Sequence, residues 1–339
     1  MQPDRPKDAA ASTRAAHAAR RAALDFEDRR DLEAARRGLI AEAPNGGRIE
    51  TARGGKVWDL ADYAFLAGEG EIDTVDPSLL RLARLNMAAG LFEVTAGVYQ
   101  VRGLDLANMT IVEGETGLIV IDCLMTAETA RAALALYRAH RGDRPVTALI
   151  YSHSHVDHYG GAKGVLDPAD AAQGRAEVVA PDGFMEALGG ENVLAGNAMA
   201  RRAQFQFGAL LRPGPRGQVD AGLGKVTARG RITLIAPTRL IREPVETHVI
   251  DGVEIRFHLA PGTEAPAEMH MFFPQTRVLN MAENATPMLH NFVPMRGSEV
   301  RDPRIWAHYL SDAMERFGDE AEVLVCQHHW PIHGREEIL

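Results

Sequence analysis

The chain has 339 residues, of which 46% are hydrophobic and 24% charged, with a net charge of −9 and two cysteines. That balance excludes collagen-like, disordered and disulfide-scaffold classes, and the acidic charge argues against a nucleic-acid partner. No apolar run is long enough to span a membrane, and the Ala/Arg/Asp-rich N-terminus lacks the apolar core of a secretory signal, so the expected location is cytoplasmic, or periplasmic or secreted if the N-terminus is incomplete.

Residues 8–43 are rich in Ala, Arg, Glu and Leu without proline, which predicts helix up to the Pro44-Asn45-Gly46-Gly47 breaker. The apolar positions are sparse, so residues 1–45 are expected to form a solvated or partner-facing helical arm. Residues 46–339 are then expected to form one folded domain. Within it, strands are predicted at 92–102, 109–113, 118–122 and 146–151, with an amphipathic helix over 126–140. Further strands are expected at 176–180, 231–234, 253–259, 278–281 and 322–326, and a helix at 302–317. Gly/Pro-rich residues 212–230 read as a surface loop, and Gly222 to Val226 lacks the spacing of a phosphate loop. Strands alternating with helices after initial hairpins predict α/β (α+β) architecture, with mixed sheets covered by helices.

The densest chemistry is Ser152-His153-Ser154-His155-Val156-Asp157-His158-Tyr159-Gly160-Gly161, directly after a predicted strand. In extended chain His153 and His155 point the same way, and a following turn presents Asp157 and His158 to a second ion. Imidazole with carboxylate is a donor set for zinc. Further along, Glu264, His258 and His270 are each candidates for a third ligand to the first ion. Cys123 has no histidine beside it and reads as a structural thiol; His329 and His333 read as supporting residues, and His17, His140 and His308 as surface residues.

His-x-His-x-Asp-His after a strand resembles the signature of the metallo-β-lactamase superfamily. Within that superfamily the sequence resembles type III alkylsulfatases, through Val57-Trp58-Asp59, Val98-Tyr99-Gln100-Val101-Arg102-Gly103 and Asn108-Met109-Thr110. The resemblance continues in Asn197-Ala198-Met199, Pro261 to Pro266, Ala282-Glu283-Asn284-Ala285 and Gln327-His328-His329-Trp330-Pro331. It implies a four-layer αββα sandwich and a hydrolase of alkyl sulfate esters with two zinc ions per chain. The implied ligands are His153, His155 and Glu264 on one ion and Asp157, His158 and His328 on the other, with Glu283 between them. Glu283 and Asp157 would then hold the catalytic water through the metals. The segment His290 to Arg296, with Arg301, matches the sulfate-binding run, implying Asn291, Arg296 and Arg301 as sulfate contacts. Two dications against three carboxylates leave little positive charge for a monoanionic ester, and arginine forks suit a tetrahedral oxyanion.

Type III alkylsulfatases are about twice this length, with a dimerising segment and a sterol-carrier-like domain. That departure leaves three expectations, a catalytic-domain fragment, a separate C-terminal partner chain that supplies the rest, or an enzyme of smaller esters, with a homodimer as one form of assembly. The competing expectations are a lactone, thioester or β-lactam hydrolase of the same fold, and a zinc-binding subunit inactive without its partner.

Overall fold

Short runs rich in β-branched and aromatic residues, broken at Gly and Asp turns, form two large sheets in the computed structural model, which describes residues 6–68 and 70–339. In chain order the first ten strands are β1 (Leu39–Glu42), β2 (Arg48–Glu50), β3 (Lys56–Asp59), β4 (Gly90–Thr95), β5 (Val98–Arg102), β6 (Met109–Glu113), β7 (Leu118–Ile121), β8 (Val146–Ile150), β9 (Glu177–Pro181) and β10 (Arg239–Ile241). They are followed by β11 (Val245–Ile250), β12 (Val253–Leu259), β13 (Met269–Phe273), β14 (Val278–Asn280), β15 (Val323–Val325) and β16 (Ile332–His333). An eight-stranded sheet runs β1-β4-β5-β6-β7-β8-β9-β10, a six-stranded sheet runs β11 to β16 in sequence order, and β2 and β3 form a separate hairpin.

Strands β4 to β7 pair antiparallel, whereas β7, β8, β9 and β10 are parallel neighbours. The helix Ala127–Arg141 supplies the crossover from β7 to β8. The two-residue period of β7 assigns its faces: Leu118 and Val120 pack with Ala130, Ala133 and Tyr137 of that helix, while Ile119 and Ile121 meet the other sheet. On β13, Met269, Met271 and Phe273 meet the first sheet, and Phe272 packs with Ala313 and Phe317 of the helix Pro303–Phe317. The layers are therefore helix, sheet, sheet, helix, as the sequence implied. Each fully buried Ile or Leu in the middle contributes roughly 1.5–3 kcal/mol.

Two expectations are corrected. The arm is not helical throughout: its helices are Ala11–Ala23 and Arg30–Arg36, and Leu39–Glu42 is an edge strand paired with β4 (residues 1–5 lie outside the described residues). Gly38 breaks the helix with φ of 73°, and a Cβ there would lie 2.0 Å from the Glu93 carbonyl oxygen. Residues 231–234 do not form a strand; Thr233 makes one isolated bridge to Gly161. The 212–230 segment is irregular, yet it is anchored inward by a buried Lys225–Asp220 ion pair. Among the described residues no helix is long and apolar enough to cross a membrane.

Candidate metal centre

Beyond β8 the chain bends at Ser152 and Ser154, on either side of an isolated bridge from His153 to Glu268, and then makes one helical turn, Val156–Tyr159. Gly160 and Gly161 let that turn press against the loop after β7: a Cβ on Gly161 would lie 1.9 Å from the Cys123 carbonyl oxygen. In that loop Asp122 takes a left-handed backbone, φ 54°. Its carboxylate accepts from Ser152 N at 2.7 Å, Ser152 Oγ at 2.7 Å and His158 Nδ1 at 2.9 Å. Because the single Ser152 hydroxyl proton goes to Asp122, Ser152 Oγ accepts from His153 Nδ1 at 2.9 Å. His328 Nδ1 donates to the Leu106 carbonyl at 3.1 Å. Three histidines thus have Nδ1 engaged and turn Nε2 into the site, the arrangement that fixes the tautomer of a metal ligand.

Among the described residues four overlapping groups are of ligand type; the two that contain the implied residues are His153, His155 and Glu264, and Asp157, His158, Glu283 and His328, and the others are Asp122, His153 and His158, and Glu264, Glu283 and His290. In the first, His153 Nε2 lies 3.5 Å from Glu264 Oε2, and His155 Nδ1 lies 2.8 Å from that same oxygen. In the second, Glu283 Oε1 is 2.7 Å from both His158 Nε2 and His328 Nε2, and Asp157 Oδ2 is 3.3 Å from His158 Nε2. Glu283 Oε1 also lies 3.5 Å from His153 Nε2, so this carboxylate stands between the groups. Donors on one tetrahedral zinc, at about 2.0–2.2 Å from it, sit roughly 3.3–3.5 Å apart. His153 Nε2, His158 Nε2 and Glu264 Oε2 are buried without a hydrogen-bond partner, which metal ions would satisfy.

Burial raises the carboxyl pKa values here, but the imidazoles outweigh it. Glu283 is held well below its ordinary value chiefly by His328, and Asp157 is lowered chiefly by His158. Glu264, opposed by burial and by Glu283, is brought down by His155 and Arg301. All three carboxyls are therefore charged. Ala282 (φ 49°) and His329 (φ 61°) hold left-handed backbone beside Glu283 and His328, strain of the kind that collects at functional sites.

The residues implied for sulfate binding all line the same cavity, of about 770 Å³. Their engagement differs. Arg301 Nε donates to the Glu264 carbonyl at 2.8 Å, Nη2 bonds the Glu264 carboxylate, and Nη1 donates to Asn291 O at 2.7 Å. Arg296 reaches His155 Nε2 at 2.8 Å and Glu191 Oε2 at 3.1 Å, while its backbone N–H donates to Gln206 Oε1 at 2.7 Å. His290 Nε2 lies 2.9 Å from Glu283 Oε2. Of the alternatives to Glu264, His258 and His270 sit on the far face of β12 and β13; His258 Nε2 bonds Asp312 on the outer helix at 2.7 Å. Cys123 is buried against the His158 and Tyr159 carbonyls, and burial raises its thiol pKa well above the ordinary value.

Sequence reasoning missed three acids. Asp122 looked like the end of a strand. Glu191 pairs with Arg296 across 105 positions. Glu268, pushed up to about 8 by burial and by Glu264, accepts from Ala265 N at 2.9 Å and Glu283 N at 3.3 Å. It joins the two loops that carry late ligands. Only Asp122, adjacent to a strand end facing the histidine cluster, left a local signal.

The chain is 52% identical over 333 residues to an (R)-specific secondary-alkylsulfatase of Pseudomonas sp., covering 98% of this chain and 50% of that protein. It is 53% identical over 315 residues to an alkyl/aryl-sulfatase of Saccharomyces cerevisiae, covering 93% of this chain and 49% of the relative. The solved structure of the stereoselective inverting sec-alkylsulfatase from Pseudomonas sp. superposes with a TM-score of 0.95 at 52% identity, over 98% of this chain and 52% of that one. The chain thus spans about half the length of these relatives. The family model described as the metallo-beta-lactamase superfamily matches residues 102–328, a span that includes every inward-facing ligand atom described above. With its four layers and its paired ligand groups at the edge of both sheets, the chain belongs to the metallo-beta-lactamase superfamily.

Proposed function

We propose that this domain hydrolyses alkyl sulfate esters to alcohol and sulfate with two zinc ions. One would be held by His153, His155 and Glu264, the other by Asp157, His158 and His328, with Glu283 shared. The observation that carries this reading is the position of Glu283 Oε1, within 3.5 Å of His153 and 2.7 Å of both His158 and His328. Zinc supplies there the acidification of a water nucleophile and a counter-charge to the ester.

The protein's own groups divide the remaining work. Asp157 and Glu283 would help hold the ions that supply that water nucleophile. Arg296 and Asn291, which line the cavity, receive the sulfate group, and Arg301 orients Asn291 and Glu264 from behind. His290, donating to Glu283 from the cavity side, holds a proton next to the reacting centre; Glu283 outweighs burial and raises its pKa. Met125, Met199, Phe207, Leu223 and Ile232 line the same cavity and suit an alkyl chain. The arginines and the 48–53% identity to alkylsulfatases favour this ester class over lactones, thioesters or β-lactams.

The test is inorganic sulfate release by zinc-loaded protein across alkyl sulfates of increasing chain length, with His153→Ala as control. Release that grows with chain length and vanishes in the control supports the reading. A second reading rests on the half-length coverage: a zinc-binding domain that needs the remaining half of its relatives. Bound zinc with no release until that half is added in trans favours it.

A further inference from the structure

The segment that lines one side of the cavity, with Arg229 among its lining residues, has a composition unlike the rest of the chain. Between Gly196 and Ile232 there are seven basic residues and one acid, on a protein of net charge −9. The acid, Asp220, is consumed by buried Lys225. The other six, Arg201, Arg202, Arg212, Arg216, Arg229 and Arg231, are exposed, with Arg216 paired to Asp8.

Large apolar side chains stand exposed among them. The helix Gly196–Gln206 turns Met199 and Ala203 to the cavity and leaves Phe205 outside, 74% exposed, with Leu210 and Leu211 following. Across the opening, the loop that supplies Asn291 and Arg296 leaves Leu289, Val293 and Met295 exposed. Leu194, 88% exposed, extends the patch from the preceding turn. Exposed apolar patches of this extent mark contact surfaces, and apolar groups interleaved with arginine match a surface that is apolar beneath and anionic above. A two-fold contact between copies of this chain would set these arginines against one another, which disfavours self-association.

We infer that this collar docks the domain onto the surface of an anionic amphiphile assembly, so that a chain leaving the assembly enters the cavity without crossing water. The inference rests on the alkyl sulfate reading for what enters the cavity, but not for the docking itself. Apolar insertion and arginine attraction act together, so binding weakens with salt and requires anionic head groups.

The experiment is co-flotation of the zinc-loaded protein with phosphatidylglycerol vesicles and with phosphatidylcholine vesicles. A Phe205→Ser/Leu211→Ser variant and an Arg201→Gln/Arg202→Gln variant are run beside it. The expected result is flotation with phosphatidylglycerol only, lost at high salt and largely lost in both variants. Hydrolysis of a short, fully dispersed ester by the serine variant stays at the parent level. No flotation with phosphatidylglycerol overturns the proposal. So does a parent protein that sediments as a dimer which the serine variant dissolves, since the patch is then a self-contact. Flotation without sulfate release from any ester leaves the docking standing and removes the catalytic reading.

Discussion

At the floor of the cavity His153, His158, His328 and Glu264 are held from behind, whereas at the mouth the large side chains are exposed. Asp122, Ser152, Leu106 and Glu268 brace the floor through hydrogen bonds of 2.7–3.3 Å. Phe205, Leu210 and Val293 at the mouth are more than half exposed. The floor needs fixed angles, because ion ligation tolerates little displacement. The mouth needs only apolar area and positive charge, which many arrangements supply. Substitutions at the floor should therefore have large, specific effects, and those at the mouth small effects that depend on the form of the substrate.

The largest effect is expected for Glu283→Gln. Removing the shared carboxylate charge should abolish sulfate release and lower bound zinc, read by mass spectrometry of the native protein; full zinc content with intact turnover would break the contrast. Next comes Asp122→Asn, which weakens the acceptor for both Ser152 and His158. Zinc affinity should fall roughly 10–100-fold, measured by competition with a chromogenic chelator. Gly161→Ala tests the backbone below the floor: a Cβ 1.9 Å from a carbonyl should cost about 3 kcal/mol or more in urea unfolding.

Asp105 sharpens the comparison through pH. Burial raises its pKa from 3.8 to about 6, against hydrogen bonds from Thr129 and three backbone amides. Its folded pKa is above the unfolded one, so its contribution is complete below pH 3.8 and is lost as pH rises through about 6. The stability of the native protein relative to Asp105→Asn should fall across that window by on the order of 1–3 kcal/mol, measured by urea unfolding at stepped pH. The smallest effect is expected for Glu191→Gln. Freeing Arg296 from its carboxylate should change KM several-fold with little change in kcat, read from sulfate-release kinetics.

The contrast also accounts for what the sequence revealed. The floor announces itself because ligation needs rare residue types at fixed spacing, so His153, His155, Asp157 and His158 stand out unaided. The strands were legible from the alternation at 92–102 and from the short apolar runs that become β7, β8 and β12, whereas the four-layer sandwich followed from the family resemblance. Glu264, Glu283 and His328 needed the family resemblance, since each is a lone polar residue in a loop and only the fold brings them together. Glu191 and Glu268 left no signal because an isolated glutamate is normally a surface residue. β1 was hidden because four residues after a helical stretch are too short to show alternation, and pairing with β4 decides their conformation. The 231–234 run has strand composition, but Thr233 is tied to Gly160 and Gly161 of the ligand turn instead of to a sheet edge.

The central claim is a pair of ion sites sharing one carboxylate, and zinc-edge anomalous diffraction from zinc-loaded crystals tests it most directly. Two peaks are predicted, one among His153, His155 and Glu264 and one among Asp157, His158 and His328, on either side of Glu283 Oε1. A single peak, or two peaks with Glu283 turned away from both, would contradict it.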